Sequence, residues 1–338
     1  KGKRSVAIDL AREEGRELAA ELVARIGLFV TNLPDRGAFS HAALRARRRD
    51  LVSVRVAGWA DGTQAVDYTI NAATGYPMMT GPAGAEGPVN HVLPAWDLVA
   101  GALAATNLLA AERRRAATGE GAQVVLPLSD VAFSTLARLG HVAEVALSGE
   151  DRPRMGNHLF GAFGHDFATA DGRRVMLVGL TARQWAALVE ALGAEAGIAA
   201  LVARTGADLA RDEGARHVHR EEIRAIFAAH AAAMDLATLS ARLERAGATW
   251  STYRSVAQAL AEEPALSAAN PVFEEVAHPS GARHLTPGSA ASYRGEARGA
   301  VPPAPRLGQH TDEVLLDVLG LGAAQLGRLR DAGIVAGG

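Results

Sequence analysis

The sequence contains no cysteine among its 338 residues. That excludes disulfides, thiol catalysis and cysteine-ligated metal, and it fits a reducing, cytoplasmic setting. It also lacks a dominant charge: 35 Lys and Arg stand against 37 Asp and Glu, a net of −2. No global field therefore favours nucleic acid or a membrane surface as partner. No apolar run reaches the roughly 18 residues a membrane span requires, the longest being 98–111. No signal peptide is visible either, since strand-like SVAID follows KGKR at once, and none is expected in this stretch. Familiar site signatures are missing as well. No Gly-x-Gly-x-x-Gly follows a strand, no phosphate-loop Lys-Ser/Thr follows glycines, and neither a Gly-x-Ser-x-Gly elbow nor a His-Glu-x-x-His helix occurs.

What is present has the composition of an ordinary globular protein, 49% hydrophobic and 21% charged, long enough for one large or two medium domains. Strand-like segments at 5–10, 27–31 and 51–56 alternate with a helical period at 13–26 and a short basic helix at 42–49. That order, with short connections, predicts right-handed crossovers and a parallel sheet, with ligands beyond the carboxyl ends of its strands. A strand at 124–128 and a single helix over 130–147 follow. Composition then changes. A glycine-punctuated loop at 154–164 precedes a hairpin over 167–178 turning at Asp171-Gly172, then helices at 181–192, 198–202, 220–230 and 236–246. A Pro/Gly-rich return at 279–305 leads to two terminal helices at 311–319 and 323–331. No internal repeat is present.

The organising stretch is 88–97, PVNHVLPAWD, which runs into the apolar segment 98–111. Pro94 cannot sit inside a helix, so a helix is expected after it; Arg113, Arg114 and Arg115 suit its C-terminal dipole, and Gly119 stops it. Asp97 at its start reads first as an N-cap. A functional role is compatible with that reading. A helix N-terminus favours an ionised carboxylate and offers N–H groups to a developing oxyanion, so an aspartate there can attack an activated acyl group.

The clusters Arg47–Arg48–Arg49 and Arg113–Arg114–Arg115 suit phosphates, but such runs are more often solvated faces, the expectation adopted for both. His217 and His219, without further ligands at metal spacing, are expected to be surface residues. Gly161 and Gly164 read either as turn residues or as part of a loop that lets backbone approach a ligand.

Taken together, KGKRSVAID at 1–9, NLP at 32–34, VDY at 66–68, MTG at 79–81, Trp96-Asp97, TGEG at 118–121 and PRLGQHTDE at 305–313 resemble the family III CoA-transferases, in that family's order and over essentially the whole chain. Members begin with a further strand–helix unit, so this sequence is expected to be the N-terminally truncated, later part of a longer protein. Within the family, VNHVLPAWD at 89–97 and GNHLFGAFG at 156–164 look most like the branch that moves CoA between the C1 and C4 carboxyls of mesaconate.

The resemblance implies an α/β fold: a Rossmann-like large domain with a parallel sheet (1–155 and 286–338) plus a smaller α+β domain (156–285), in an interlocked homodimer. It implies Asp97 as the nucleophile, with Lys3, Arg4, Asn32, Leu33 and Arg36 lining the CoA site. Gly161 and Gly164 fall where relatives carry a glycine loop over the nucleophile, here interrupted by Ala162 and Phe163. The implied partner is an acyl-CoA thioester, with no metal and no cofactor beyond that CoA. Two other activities stay in view: intermolecular transfer to succinate or another acid, and α-methylacyl-CoA racemisation. Racemases place a histidine just before Asp67, where this chain has Val66, which cannot move a proton. Asn90 and His91, just upstream of Asp97, are candidate substrate-binding residues; the alternative for His91 is a loop residue capping a carbonyl. On the first reading His91→Ala raises substrate KM in steady-state assays; an unaltered KM removes the assignment.

Overall fold

The run LVSVRVA at 51–57 is rich in valine, the pattern of a strand buried on both faces of a parallel sheet. The computed structural model, which describes residues 1–337, places it at the centre of such a sheet. The chain divides into two units: Lys1–Thr74, Val92–Ala143 and the residues from Glu262 on form the first, and Gly75–His91 with Glu144–Ala261 form the second.

In chain order, the first stretch carries β1 (Ala7–Ile8), α1 (Glu13–Ile26), β2 (Leu28–Thr31), α2 (His41–Arg47), β3 (Val52–Ala57) and α3 (Asp67–Ala73). After α4 (Tyr76–Met79), which belongs to the second unit, come α5 (Ala95–Thr118), β4 (Ala122–Pro127), α6 (Leu128–Arg138) and α7 (His141–Ser148). The sheet has the order β2-β3-β4, all parallel, with Val52 facing Leu28 on one side and Ala122 on the other. Leu51, Val52 and Val54 are fully buried. Alanine-rich α5 packs on β3 and β4, burying Trp96, Ala100, Ala104 and Ala111 along one stripe. It stops at Gly119, whose φ of 74° is left-handed and whose N–H reaches Arg115 O. Gly121 lets β4 start beside β3: a Cβ there would lie 2.2 Å from Leu51 O.

Three expectations change here. The segment at 5–10 does not join the parallel sheet. Instead β1 is a two-residue strand pairing antiparallel with β10 near the C-terminus, because Ser5 N–H donates to His310 Nδ1 and Ala7 N–H to Thr311 Oγ1, and Asp9 turns the chain by accepting from Ala11 N–H. The single helix over 130–147 is two helices, broken at Gly140 with φ 84°. The arginine clusters are only partly solvated faces. Arg48 donates to Ala24 O and Arg25 O, and Arg115 to Gly27 O. Both thus satisfy carbonyls left open where α1 ends. Arg47 and Arg114 do stay outside, paired with Glu17 and Glu120.

The second unit is built on an antiparallel sheet β5-β6-β7, from β5 (Phe163–Ala168), β6 (Arg174–Gly179) and β7 (Thr249–Thr252), with Gly172 at the hairpin turn as expected. Around it lie α8 (Ala182–Leu192), α9 (Glu195–Thr205), α10 (Glu213–Val218), α11 (Arg220–Ala231) and α12 (Leu236–Ala246). Thr181 and Gln184 form a reciprocal capping box at the start of α8. Phe163, Phe167, Trp185 and Phe227 fill the core, with Phe227 edge-on to Phe163 at 5.3 Å and stacked on Trp185 at 5.5 Å. Arg216 is buried there because its guanidinium donates to Leu209 O and Leu180 O.

The chain then returns through α13 (Val256–Glu262), a hairpin of β8 (Phe273–Ala277) and β9 (Arg283–Pro287), α14 (Thr311–Leu319), α15 (Ala323–Asp331) and β10 (Val335–Ala336). These units differ in extent from the domains expected at 1–155 plus 286–338 and at 156–285. Arg154 donates to Met78 O and Ala85 O, and Gly156 N–H to Gly81 O, tying 75–91 to the segment beyond 144. The β8–β9 hairpin lies in the first unit, where Glu274 accepts from Val301 N–H. Among the described residues no helix is long and apolar enough to cross a membrane.

Phe227→Ala removes the ring that joins Phe163, Phe167 and Trp185. It is expected to lower stability by about 3–5 kcal/mol, read as a lower denaturant midpoint at unchanged slope.

Candidate active site

The parallel strands end in three short connections, and between them opens a cavity of about 970 Å³. The turn after β2 supplies Asn32, Pro34 and Asp35; the end of β3 and the loop beyond it supply Arg55, Trp59 and Val66. Asp35 is held in place because its carboxylate accepts from His41 N–H at 2.7 Å and from Gln123 Nε2 at 2.7 Å. The His41 hydrogen bond is the largest cause holding its pKa below the ordinary aspartate value. Gly58 lets the β3 loop fold back, since a Cβ there would sit 2.4 Å from Ala65 N. Asp97 completes the wall.

Asp97 is not the N-cap. Helix α5 starts at Ala95 with Pro94 in the cap position and no side-chain cap of its own, so Asp97 is the third helical residue. The cap comes from 30 residues upstream. Asp67, only 2% exposed, accepts from Trp96 N–H at 2.7 Å and from Asp97 N–H at 3.1 Å, both through Oδ2. One turn along α3, buried Asn71 accepts from the Trp96 indole N–H at 3.2 Å. A helix start normally served by its own Asp or Ser is thus served by a separate helix, and the Asp97 carboxylate is left free to face the cavity.

A helix N-terminus on its own favours the ionised form of Asp97. Here the balance goes the other way: its pKa is raised, first by partial removal from water and then by the negative charge of Asp67. A more basic carboxylate is a better nucleophile once ionised. The arrangement can therefore deliver an activated carboxylate to a carbonyl in the cavity. Val66, 60% exposed, lines the same cavity and offers no group that could exchange a proton.

Of the residues expected to bind CoA, only Asn32 shares this wall with Asp97. Leu33 and Arg36 are exposed on the same turn but do not line it. Lys3 and Arg4 line a different cleft of about 590 Å³, with Arg306 and His310, and Arg4 is engaged by Glu313 at 3.1 Å. Asn90 and His91 lie in the second unit, where His91 Nδ1 is buried without a hydrogen-bond partner. Gly161, with φ 76°, also belongs there and donates its N–H to His217 Nδ1 at 3.2 Å. Gly164 is a residue of β5 rather than of a loop, and a Cβ on it would lie 2.5 Å from Leu159 Cδ1. His217 is therefore more than a surface residue: it holds the glycine loop and packs on Phe160, over whose ring the Arg152 guanidinium also lies, 3.7 Å from the centre.

Sequence reasoning passed over Asp67 and Arg55. Asp67 and Asn71 stand four apart, one helical turn, which is the available signal for a polar face directed at one target. Arg55 is the one charged residue of a valine-rich strand, and a lone cation in such a strand calls for a function.

A family model described as CoA-transferase family III matches residues 1–311. The chain is 48% identical to the 2-methylfumaryl-CoA isomerase of Chloroflexus aurantiacus, over 100% of this chain and 83% of that protein. It is 30% identical to the succinyl-CoA:mesaconate CoA-transferase of Haloarcula marismortui, over 72% of this chain and 62% of that one. A crystal structure of a CAIB/BAIF family protein from Brucella suis superposes with a TM-score of 0.75 at 22% identity, covering 94% of this chain and 82% of that one. That likeness bears on the fold alone.

Replacing Asp67 by Asn keeps an acceptor for the α5 N–H groups but removes the charge that adds to the effect of burial in raising the Asp97 pKa. The acid limb of the pH–activity profile is expected to move to lower pH, because Asp97 then ionises more readily. Asp67→Ala loses the acceptor too and is expected to destabilise the protein by about 1–3 kcal/mol. A limb that stays in place in Asp67→Asn would show that the charge does not reach Asp97.

Proposed function

The chain belongs to CoA-transferase family III, and from that premise we propose that it is an enzyme that moves CoA within one substrate, from the C1 to the C4 carboxyl of 2-methylfumarate. The observation that carries this reading is the full-length 48% identity to a 2-methylfumaryl-CoA isomerase. Asp97, its carboxylate unengaged in a cavity at the carboxyl edge of a parallel sheet, supplies the group such a transfer needs.

The Asp97 carboxylate attacks the C1 thioester carbonyl. The C–S bond breaks, CoA leaves as thiolate, and an aspartyl–acyl anhydride remains. The thiolate then attacks the aspartyl carbonyl, forming an aspartyl-CoA thioester and releasing 2-methylfumarate with both carboxylates free. Its C4 carboxylate attacks the aspartyl thioester, expelling thiolate and forming the second anhydride. Thiolate attack at C4 regenerates Asp97 and completes the isomer. No proton is gained or lost overall, and each exchange swaps acyl partners of similar energy, so the sequence needs no group beyond CoA itself. Water must be kept out, because either intermediate would otherwise hydrolyse. The raised Asp97 pKa fits a nucleophile tuned by burial.

Intermolecular transfer is the second reading, favoured by the likeness to a succinyl-CoA:mesaconate CoA-transferase. A racemase is not supported, because Val66 leaves the cavity without the second base at that position. An interlocked homodimer belongs to the same proposal; exposed apolar side chains such as Leu98, Val99 and Leu109 along α5 support it.

The test follows mesaconyl-C1-CoA in the presence of isotopically labelled free mesaconate. Unlabelled C4 thioester is the expected product; label in it makes the transfer intermolecular, and no C4 product rejects the substrate. In acid-quenched turnover, mass spectrometry should find CoA covalently attached at Asp97. Asp97→Ala should lose the adduct together with at least about a thousandfold in kcat.

A further inference from the structure

Arg55 is the one cation among the described residues lining the Asp97 cavity, and its side chain is short of partners. It sits near the carboxyl end of β3, opposite Thr31 of β2 and Val125 of β4, where ligands of parallel sheets bind. Its Nε is buried and makes no hydrogen bond. The carboxylate of Asp35 on the same wall is already engaged: it uses one oxygen for His41 N–H and the other for Gln123. Arg55 influences Asp35 only through its charge. A buried guanidinium N–H left open costs free energy unless something completes it, and the Nε–Nη edge to which it belongs matches a carboxylate in bidentate fashion.

The reading proposed above creates a matching demand. The acyl group carries one free carboxylate in the starting thioester and two in the released diacid, beside Asp35 and the Asp97 carboxyl, in a cavity that also presents Trp59, Val66, Ala57 and Leu128. An anion in such a setting is held only if a cation meets it. We infer that Arg55 is the anchor for the substrate's free carboxylate, so that the site selects dicarboxyl-CoA thioesters and retains the diacid between its departure from C1 and its return through C4. This rests on the proposed reaction but makes a claim about binding that can be read without turnover.

Binding is measured by calorimetry in an Asp97→Asn background, where thioesters are not consumed, for three probes: mesaconyl-C1-CoA, methacrylyl-CoA (the same branched acyl group without the second carboxylate) and free CoA. Adding Arg55→Gln is expected to weaken mesaconyl-C1-CoA about 10- to 100-fold, the scale of one charged hydrogen-bonded contact, while the other two Kd values stay fixed. Arg55→Lys should recover part of the loss. With Asp97 intact, Arg55→Gln should also let labelled mesaconate enter the C4 product, because the diacid escapes. Equal weakening of all three probes would overturn the inference and assign Arg55 to a CoA phosphate. No change in any of them would overturn it as well. Unchanged binding of free CoA shows that the variant is folded. Should the wild type bind mesaconyl-C1-CoA selectively but not isomerise it, the proposed reaction fails while Arg55 stands.

Discussion

The site depends on one buried carboxylate beneath the start of a long helix. Asp67 accepts the first N–H groups of α5 in place of a local cap. Helix termini need such acceptors, and a helix that carried its own would usually spend an early Asp on the task. By moving that task to α3, the fold leaves Asp97 unengaged at the cavity wall. The same charge lies close enough to disfavour a second negative charge, so one residue both fixes the position of Asp97 and raises its basicity.

Around this pair the cavity has an uneven distribution of charge. Asp35 and Asp97 are negative, Arg55 is positive, and the neighbouring surface includes Trp59, Val66 and Ala57. Acyl exchange between carboxylates suits that surface. Attack needs a basic carboxylate, and the anhydrides and aspartyl thioester it creates are lost to hydrolysis wherever water enters. The strength of the pairing between Arg55 and an anion grows as water is excluded.

Much of the architecture was legible along the chain because it rests on local periodicity. The apolar stripe of α1, the valine-rich β3, the alanine-rich α5 with its glycine stop and the Asp171-Gly172 hairpin all follow from short-range rules. Misreadings fell where distant residues outbid local pattern. Strand-like 5–10 is claimed by His310 and Thr311, some 300 positions away. Arg48 and Arg115 look like parts of surface clusters until they are seen meeting the open carbonyls at the end of α1. The segment 75–91 reads as a continuation of the large domain, yet Arg154 gathers its carbonyls into the second unit.

By itself the sequence determined the α/β class, the long helix beginning after Pro94 and Asp97 as the carboxylate at its start, because propensity, proline geometry and glycine stops act over a few residues. The motifs distributed along it also carried the family. Only the tertiary structure decided that Asp97 is not the cap, that Asp67 and Asn71 grip the helix start, and that Arg55 shares the cavity. Those relations join residues 25 to 42 positions apart, and hydrogen bonding and charge act through space rather than along the chain.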